Sequence, residues 1–174
     1  MVIMAGEQKR DLRKRIINSA HSSTATIPAT SLDIVAVATV IVTSEAVNHP
    51  VDNVFDGHCG PGANRWVAGE LGEQTLILNF DAPQMLRRIH LEVEEVEVSR
   101  SQELWVSVSN DGGQTYREVV RQEYNFSPPG TTFEHEEWQL APQKVTHLCI
   151  RIKPDKEGLP CRATLTSLTL YTGE

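Results

Sequence analysis

Several absences narrow the reading of this chain before any motif is considered. It has only three cysteines, Cys59, Cys149 and Cys161, an odd number with no metal-type spacing, which excludes a disulfide framework and a zinc-ribbon site. A reducing compartment, the cytoplasm, is the expected location. No apolar run approaches the roughly 18 residues of a membrane span; the longest apolar-rich stretch is Ile34 to Val42. The basic N-terminus (Lys9, Arg10, Arg13, Lys14, Arg15) has no apolar stretch directly behind it, so a secretory signal is not expected. Positive charge is in deficit, with a formal net charge of -7 and a pI near 5.4. That balance argues against nucleic acid and anionic membrane as partners.

Catalytic signatures are missing as well. There is no Gly-x-Ser-x-Gly elbow, no phosphate-binding glycine loop ahead of a helix, and no carboxylate pair set across a cleft. Glu92, Glu94, Glu95 and Glu97, with Glu103, read as a solvated acidic face. His49, His58 and Cys59 offer soft-metal ligand types, with unpaired surface residues as the plainer reading. No enzyme is expected.

What remains is a chain of 174 residues with 40% hydrophobic and 22% charged residues, suited to one soluble domain. Residues 1–32 read as a basic extension and linker. Within them Glu7 to Asn18 suits a short helix, or a frayed arm, and Ser19 to Ser31 is rich in Ser, Thr and Ala. Residues 33–174 read as strand after strand. Ile34 to Val42 is β-branched and apolar. Leu76, Leu78 and Phe80, then Ile89, Leu91 and Val93, then Leu104, Val106 and Val108 each alternate with their neighbours. Tyr116–Val120, Thr132–Leu140, His147–Ile152 and Leu165–Tyr171 complete the series. Asn110-Asp111-Gly112-Gly113 between two such runs predicts a hairpin, with a cation or phosphate loop as the alternative. Period-two runs separated by Gly, Pro, Asn and Asp predict an all-β, antiparallel β-sandwich.

The order Ser44-Glu45, His49-Pro50, Asn53-Val54-Phe55-Asp56-Gly57, Arg65-Trp66 and Leu76–Phe80 resembles the discoidin, or coagulation factor V/VIII type C, domain family. Val106–Tyr116, Val145–Ile152 and Ser167–Tyr171 resemble its later hairpin, late strand and closing strand. The resemblance covers about residues 38 to 172. It implies a galactose-binding-domain-like jelly roll with ligand-binding loops clustered at one end. It also implies a calcium site at Asp56, with Asn64 where the family carries Thr and Ser167 where it carries Glu. The ion therefore stays open against Asp56 capping its own turn. No cofactor is required.

The function expected is a non-catalytic module binding a carbohydrate or similar polar ligand. Its candidate ligand residues are His49, Arg100, Tyr124, Asn125 and Phe126. For Tyr124 and Phe126 the alternative is packing that closes the sandwich. Trp66 reads as packing and not as a sugar platform. The competing function is an intracellular protein-interaction domain that binds no sugar. Neither the partner nor the oligomeric state is indicated.

Overall fold

Two long antiparallel strands organise the molecule. The computed structural model describes residues 13–16 and 31–172. Its elements are β1 (Arg13–Ile16), a single helical turn α1 (Ile34–Val37), β2 (Ala38–Val42), a 3-10 turn η1 (Val51–Phe55), β3 (Trp66–Val67), β4 (Gln74–Glu94), β5 (Arg100–Ser109), β6 (Arg117–Phe126), β7 (Phe133–Lys153), β8 (Thr164–Leu165) and β9 (Ser167–Thr172). The strand order is β1-β2-β4-β7-β5-β6, with β9 added to β4 and a small ribbon of β3 and β8 beside them.

β4 and β7 pair along their whole length, from Gln74 opposite Ile152 to Glu94 opposite Phe133. Their register shifts twice, between Asn79 and Gln84, where residues 80–83 of β4 oppose Thr146, and between Leu86 and Arg88, where Arg87 opposes residues 140–142 of β7. Each strand thus serves both layers of the sandwich. The first limb of β4 pairs β2 and the second pairs β9. Leu76, Leu78 and Phe80 on one limb share a single buried core with Leu86, Ile89, Leu91 and Val93 on the other. Alternation is the cause: each limb places every second side chain between the layers.

Three expectations need adjustment. The strand read over 34–42 begins at Ala38. Ahead of it Ile34–Val37 coils into one turn, because the Asp33 carboxylate accepts from the Ala36 N–H at 3.3 Å. The helix read over Glu7–Asn18 is a strand where it is described. Arg13–Ile16 runs parallel to β2, and backbone pairing with that edge overrides helical preference. The rest of that expected helix, and most of the expected linker, lie outside the described residues. Finally, β6 does not stop at Val120 but runs on to Phe126, opposite Arg100.

The registers fix the two ends of the sandwich. Val42 faces Leu76, Glu103 faces Lys153, Arg100 faces Phe126 and Glu92 faces Ser167. The loops 43–73, 95–99, 127–132 and 154–163 therefore gather at one end. The opposite end carries the β4 and β7 bends and the 110–116 hairpin. There Asp111 fastens the turn, accepting from the Gln114 and Thr115 N–H groups and the Thr115 and Ser109 hydroxyls. Gly112 at φ 77° supplies the backbone conformation that the turn needs.

Candidate functional site

The loop end is built on an internal charge. Arg100, expected at the ligand surface, is 4% exposed. Its Nη2 lies 2.8 Å from Glu95 Oε2 and donates to Thr164 Oγ1 at 3.0 Å. Its Nη1 donates to the carbonyls of Pro154 and Arg162 at 3.0 and 2.7 Å. A buried guanidinium is tolerable because its fork of donors meets fixed acceptors on several sides. Arg100 therefore joins the loops from within and presents nothing to a ligand.

Tyr124 and Phe126 are corrected for a related reason. Both lie on β6 and point into the core, at 2% and 3% exposure, with ring centroids 6.3 Å apart. Burial holds the Tyr124 hydroxyl well above the ordinary phenol range, with nearby Glu136 and Glu134 adding to it. Asn125, of opposite parity, is exposed and accepts from the Ser101 hydroxyl at 2.5 Å. His49 sits half-buried on the loop after β2. That strand lies next to one edge of the strand order and Asn125 is on the strand at the other edge, so these side chains do not converge. Trp66 is fully buried, its indole N–H donating to the Ser44 carbonyl at 3.0 Å.

The large hydrophobic side chains that this end exposes are aliphatic. Val47, Leu71 and Leu159 are 89%, 57% and 52% exposed, and Val96 and Val98 also stand out. The loops gathered here hold two aromatic residues, Phe55 and Trp66, and both are buried. A shallow hollow of about 280 Å³ opens beside Leu71, Glu73, Lys153 and Leu159. At its floor, burial pushes the Asp155 carboxyl up, but backbone N–H donors, Leu159 and Ser101 foremost, outweigh it and hold the group below the ordinary carboxylate range.

The glycine-rich loop after Asp56 is sewn to β4 by carboxylates. Gly60 N–H donates to Glu92 Oε2 at 2.7 Å, and Gly62 N–H to Glu94 Oε1 at 3.0 Å. Arg65 Nη1 lies 3.6 Å from the same Glu94. The acidic run was expected to be solvated. Instead Glu92, Glu94 and Glu95 are buried, because the loop folds over that face of the sheet. Two local signals point to this arrangement: a strand whose acids sit opposite its apolar face, and a nearby glycine loop whose N–H groups need acceptors.

Asp56 is likewise occupied. It accepts from the His58 N–H at 2.8 Å and from the Asn64 amide at 3.3 Å, while Gly57 follows at φ 78°. Asp56 and Asn64 do meet, but as turn acceptor and donor. With Ser167 in place of a carboxylate and Glu92 committed to Gly60, this donor set does not fit a resident calcium ion. Among the described residues no group of three or more His, Cys, Asp or Glu side chains is placed to hold a metal, so His49, His58 and Cys59 do not assemble one.

A second surface lies along the side of the sandwich, over the outer face of β9 and β4. It is a groove of about 240 Å³. Register builds its floor: Thr169 faces His90, and Ser167 faces Glu92. Tyr171 closes one end, the Arg88 guanidinium 3.8 Å from its ring centroid. Leu32, Ile34, Val54 and Leu168 supply an aliphatic wall, and Phe55 and Cys59 the wall on the loop side. Sequence reasoning weighed Cys59 and Ser167 only as metal-ligand positions and assigned the other lining residues to no ligand. Only the pairing of β9 with β4 and the wrapping of the 54–60 segment bring them together.

No known family's sequence profile matches the chain, and no curated protein matches it by sequence. Solved structures do match in shape. A family 32 carbohydrate-binding module from a family 31 glycoside hydrolase of Clostridium perfringens superposes with a TM-score of 0.59 at 15% identity, over 83% of this chain and 96% of that one. The chain has the galactose-binding-like β-sandwich fold. The family 32 module of Clostridium perfringens NanJ, solved with galactose, gives 0.57 at 16% identity over 82% and 98% of the two chains. Chitosan-binding module 1 of a Paenibacillus sp. IK-5 chitosanase/glucanase gives 0.54 at 19% over 77% and 94%. This galactose-binding-like sandwich shares its fold with those modules at 15–19% identity.

Proposed function

We propose that this galactose-binding-like sandwich is a non-catalytic binding module whose ligand is a carbohydrate. One observation carries the reading. The likeness extends over 94–98% of three solved modules whose names record carbohydrate binding or a bound galactose, so it takes in nearly the whole of each module. Calorimetric titration of the full chain with galactose, glucose and their N-acetylated amines tests it. Saturable binding to at least one sugar is the expected result. Flat titrations with all of them, together with an empty glycan array, would remove the carbohydrate reading.

A specific observation favours a second reading, a protein-docking module with no sugar ligand. The loop end displays Val47, Leu71, Val96, Val98 and Leu159 without an exposed aromatic ring among its described residues. Sugars are recognised best where an aromatic face meets the C–H surface of the ring, whereas aliphatic tips suit a protein partner. Replacing Val47, Leu71 and Leu159 by Ser distinguishes the two. Under the second reading a partner held in affinity capture is lost; under the first, sugar affinity is unchanged.

A further inference from the structure

Resting on the carbohydrate reading, we infer that the side groove along β9, and not the loop end, is the seat of the ligand, and that it takes one neutral N-acetylated sugar ring. Size gives the first limit. At about 240 Å³ the groove falls below the roughly 300–1,000 Å³ of sites for drug-sized ligands, so it accommodates a single ring and not an oligosaccharide.

The lining gives the chemistry. Its floor carries three polar groups with free capacity. The hydroxyls of Ser167 and Thr169 make no hydrogen bond among the described residues, although Ser167 is only 5% exposed. His90 Nε2 stands 3.7 Å from Glu92 Oε1, within ion-pair distance but beyond hydrogen-bond range. None of these groups is a buried atom left without a partner, so their polar atoms stay open to water, which a ligand's own polar groups can replace. Sugar hydroxyls, which both donate and accept, match two protein hydroxyls and an imidazole.

Opposite this floor the aliphatic wall of Leu32, Ile34, Val54 and Leu168 has no use for a hydroxyl. An acetamido methyl fits it, and the apolar face of the ring can lie against the carbons of Phe55 or Tyr171. Charge sets the last limit. The buried Glu92 carboxylate lies beneath the floor, and Arg88 is engaged by Tyr171 and by Glu137 at 3.4 Å. A uronic acid would meet repulsion, with no lysine or arginine among the described lining residues to offset it. The seat is also preformed, because Glu92 pins the loop wall through Gly60 and strand pairing fixes the floor.

The experiment titrates the full chain with N-acetylglucosamine, N-acetylgalactosamine, glucose, galactose and glucuronate. It follows backbone amide shifts by NMR and affinity by calorimetry. The wild type is expected to bind an N-acetylated sugar about tenfold more tightly than its parent hexose, and glucuronate least, with shifts centred on His90, Thr169 and Cys59. Thr169→Val and Ser167→Ala, two small changes in case one disturbs folding, are each expected to weaken binding about tenfold. The Val47, Leu71 and Leu159 to Ser variant should bind as the wild type does. Binding that survives both groove variants, or shifts confined to the 43–50 and 154–163 loops, overturns the groove while leaving the carbohydrate reading intact. A wild type that binds none of the sugars overturns that reading and the groove with it.

Discussion

The loop end and the side groove treat polar side chains in opposite ways. At the loop end the strongest polar group, Arg100, is turned inward and held by Glu95, Thr164 and two carbonyls, with its Nε left without a partner among the described residues, and the large hydrophobic side chains left outside are aliphatic. Along β9 the polar groups are modest, two hydroxyls and an imidazole, yet they have capacity left over. Availability for binding thus depends on what the fold has already satisfied, not on how polar a segment looks.

The comparison can be broken or sharpened by four measurements, beginning with the largest effect. Arg100→Met leaves Glu95 buried without its partner and is expected to cost about 3–5 kcal/mol of folding stability, read by chemical denaturation. If that variant unfolds at the wild-type denaturant concentration, the loop end is not built on this charge. Glu92→Ala removes the acceptor of the Gly60 N–H and should cost about 1–3 kcal/mol. It should also weaken sugar binding in the groove, since the loop wall comes loose; an unchanged affinity would show that the wall does not shape the seat.

The third measurement is acid sensitivity. Asp155 has a folded-state pKa below its unfolded value, so the stability it contributes is present above the unfolded value, near pH 3.8. That stability is lost as pH falls from there through the folded value. Asp155→Asn should flatten the melting temperature against pH in that window and nowhere else. An equally steep acid limb in the variant would assign the loss to other carboxylates. The smallest effect is none: chelation by EDTA should leave the melting temperature unchanged, because Asp56 is satisfied by His58 and Asn64. A drop that added calcium restores would return the ion to this turn.

How much of this was legible depends on the range of the interaction. The Asp56-Gly57 turn and the Asn110–Gly113 hairpin were readable because turn chemistry is local. So was the sandwich, because alternation in Leu76–Phe80 and Ile89–Val93 reports a buried face directly. Tyr124 and Phe126 were misplaced over a question of extent. The period of two continues through Val120, Gln122, Tyr124 and Phe126, but the Ser127-Pro128-Pro129-Gly130 that follows suggested a loop. Arg100 was misplaced because, beyond nearby Glu95, its acceptors on Pro154, Arg162 and Thr164 lie more than fifty residues away, where no local pattern announces them. The groove was not legible at all. It exists only where β9 lies beside β4 and the 54–60 segment folds over both, and each contributes ordinary residues.

The sharing of β4 and β7 between both layers has a consequence for how the molecule is made. Neither layer can be assembled first as a separate hairpin stack, since the same two strands supply both. Their pairing must close the chain between Glu94 and Phe133 and carry β5 and β6 along with it. Non-local closure of this kind is slow, in the range of milliseconds to seconds for all-β domains. Groove and loop end should then appear together in one kinetic phase. Stopped-flow probes at Trp66, beneath the loops, and Trp138, on the second limb, would report the same rate; two rates would mean that the layers assemble independently.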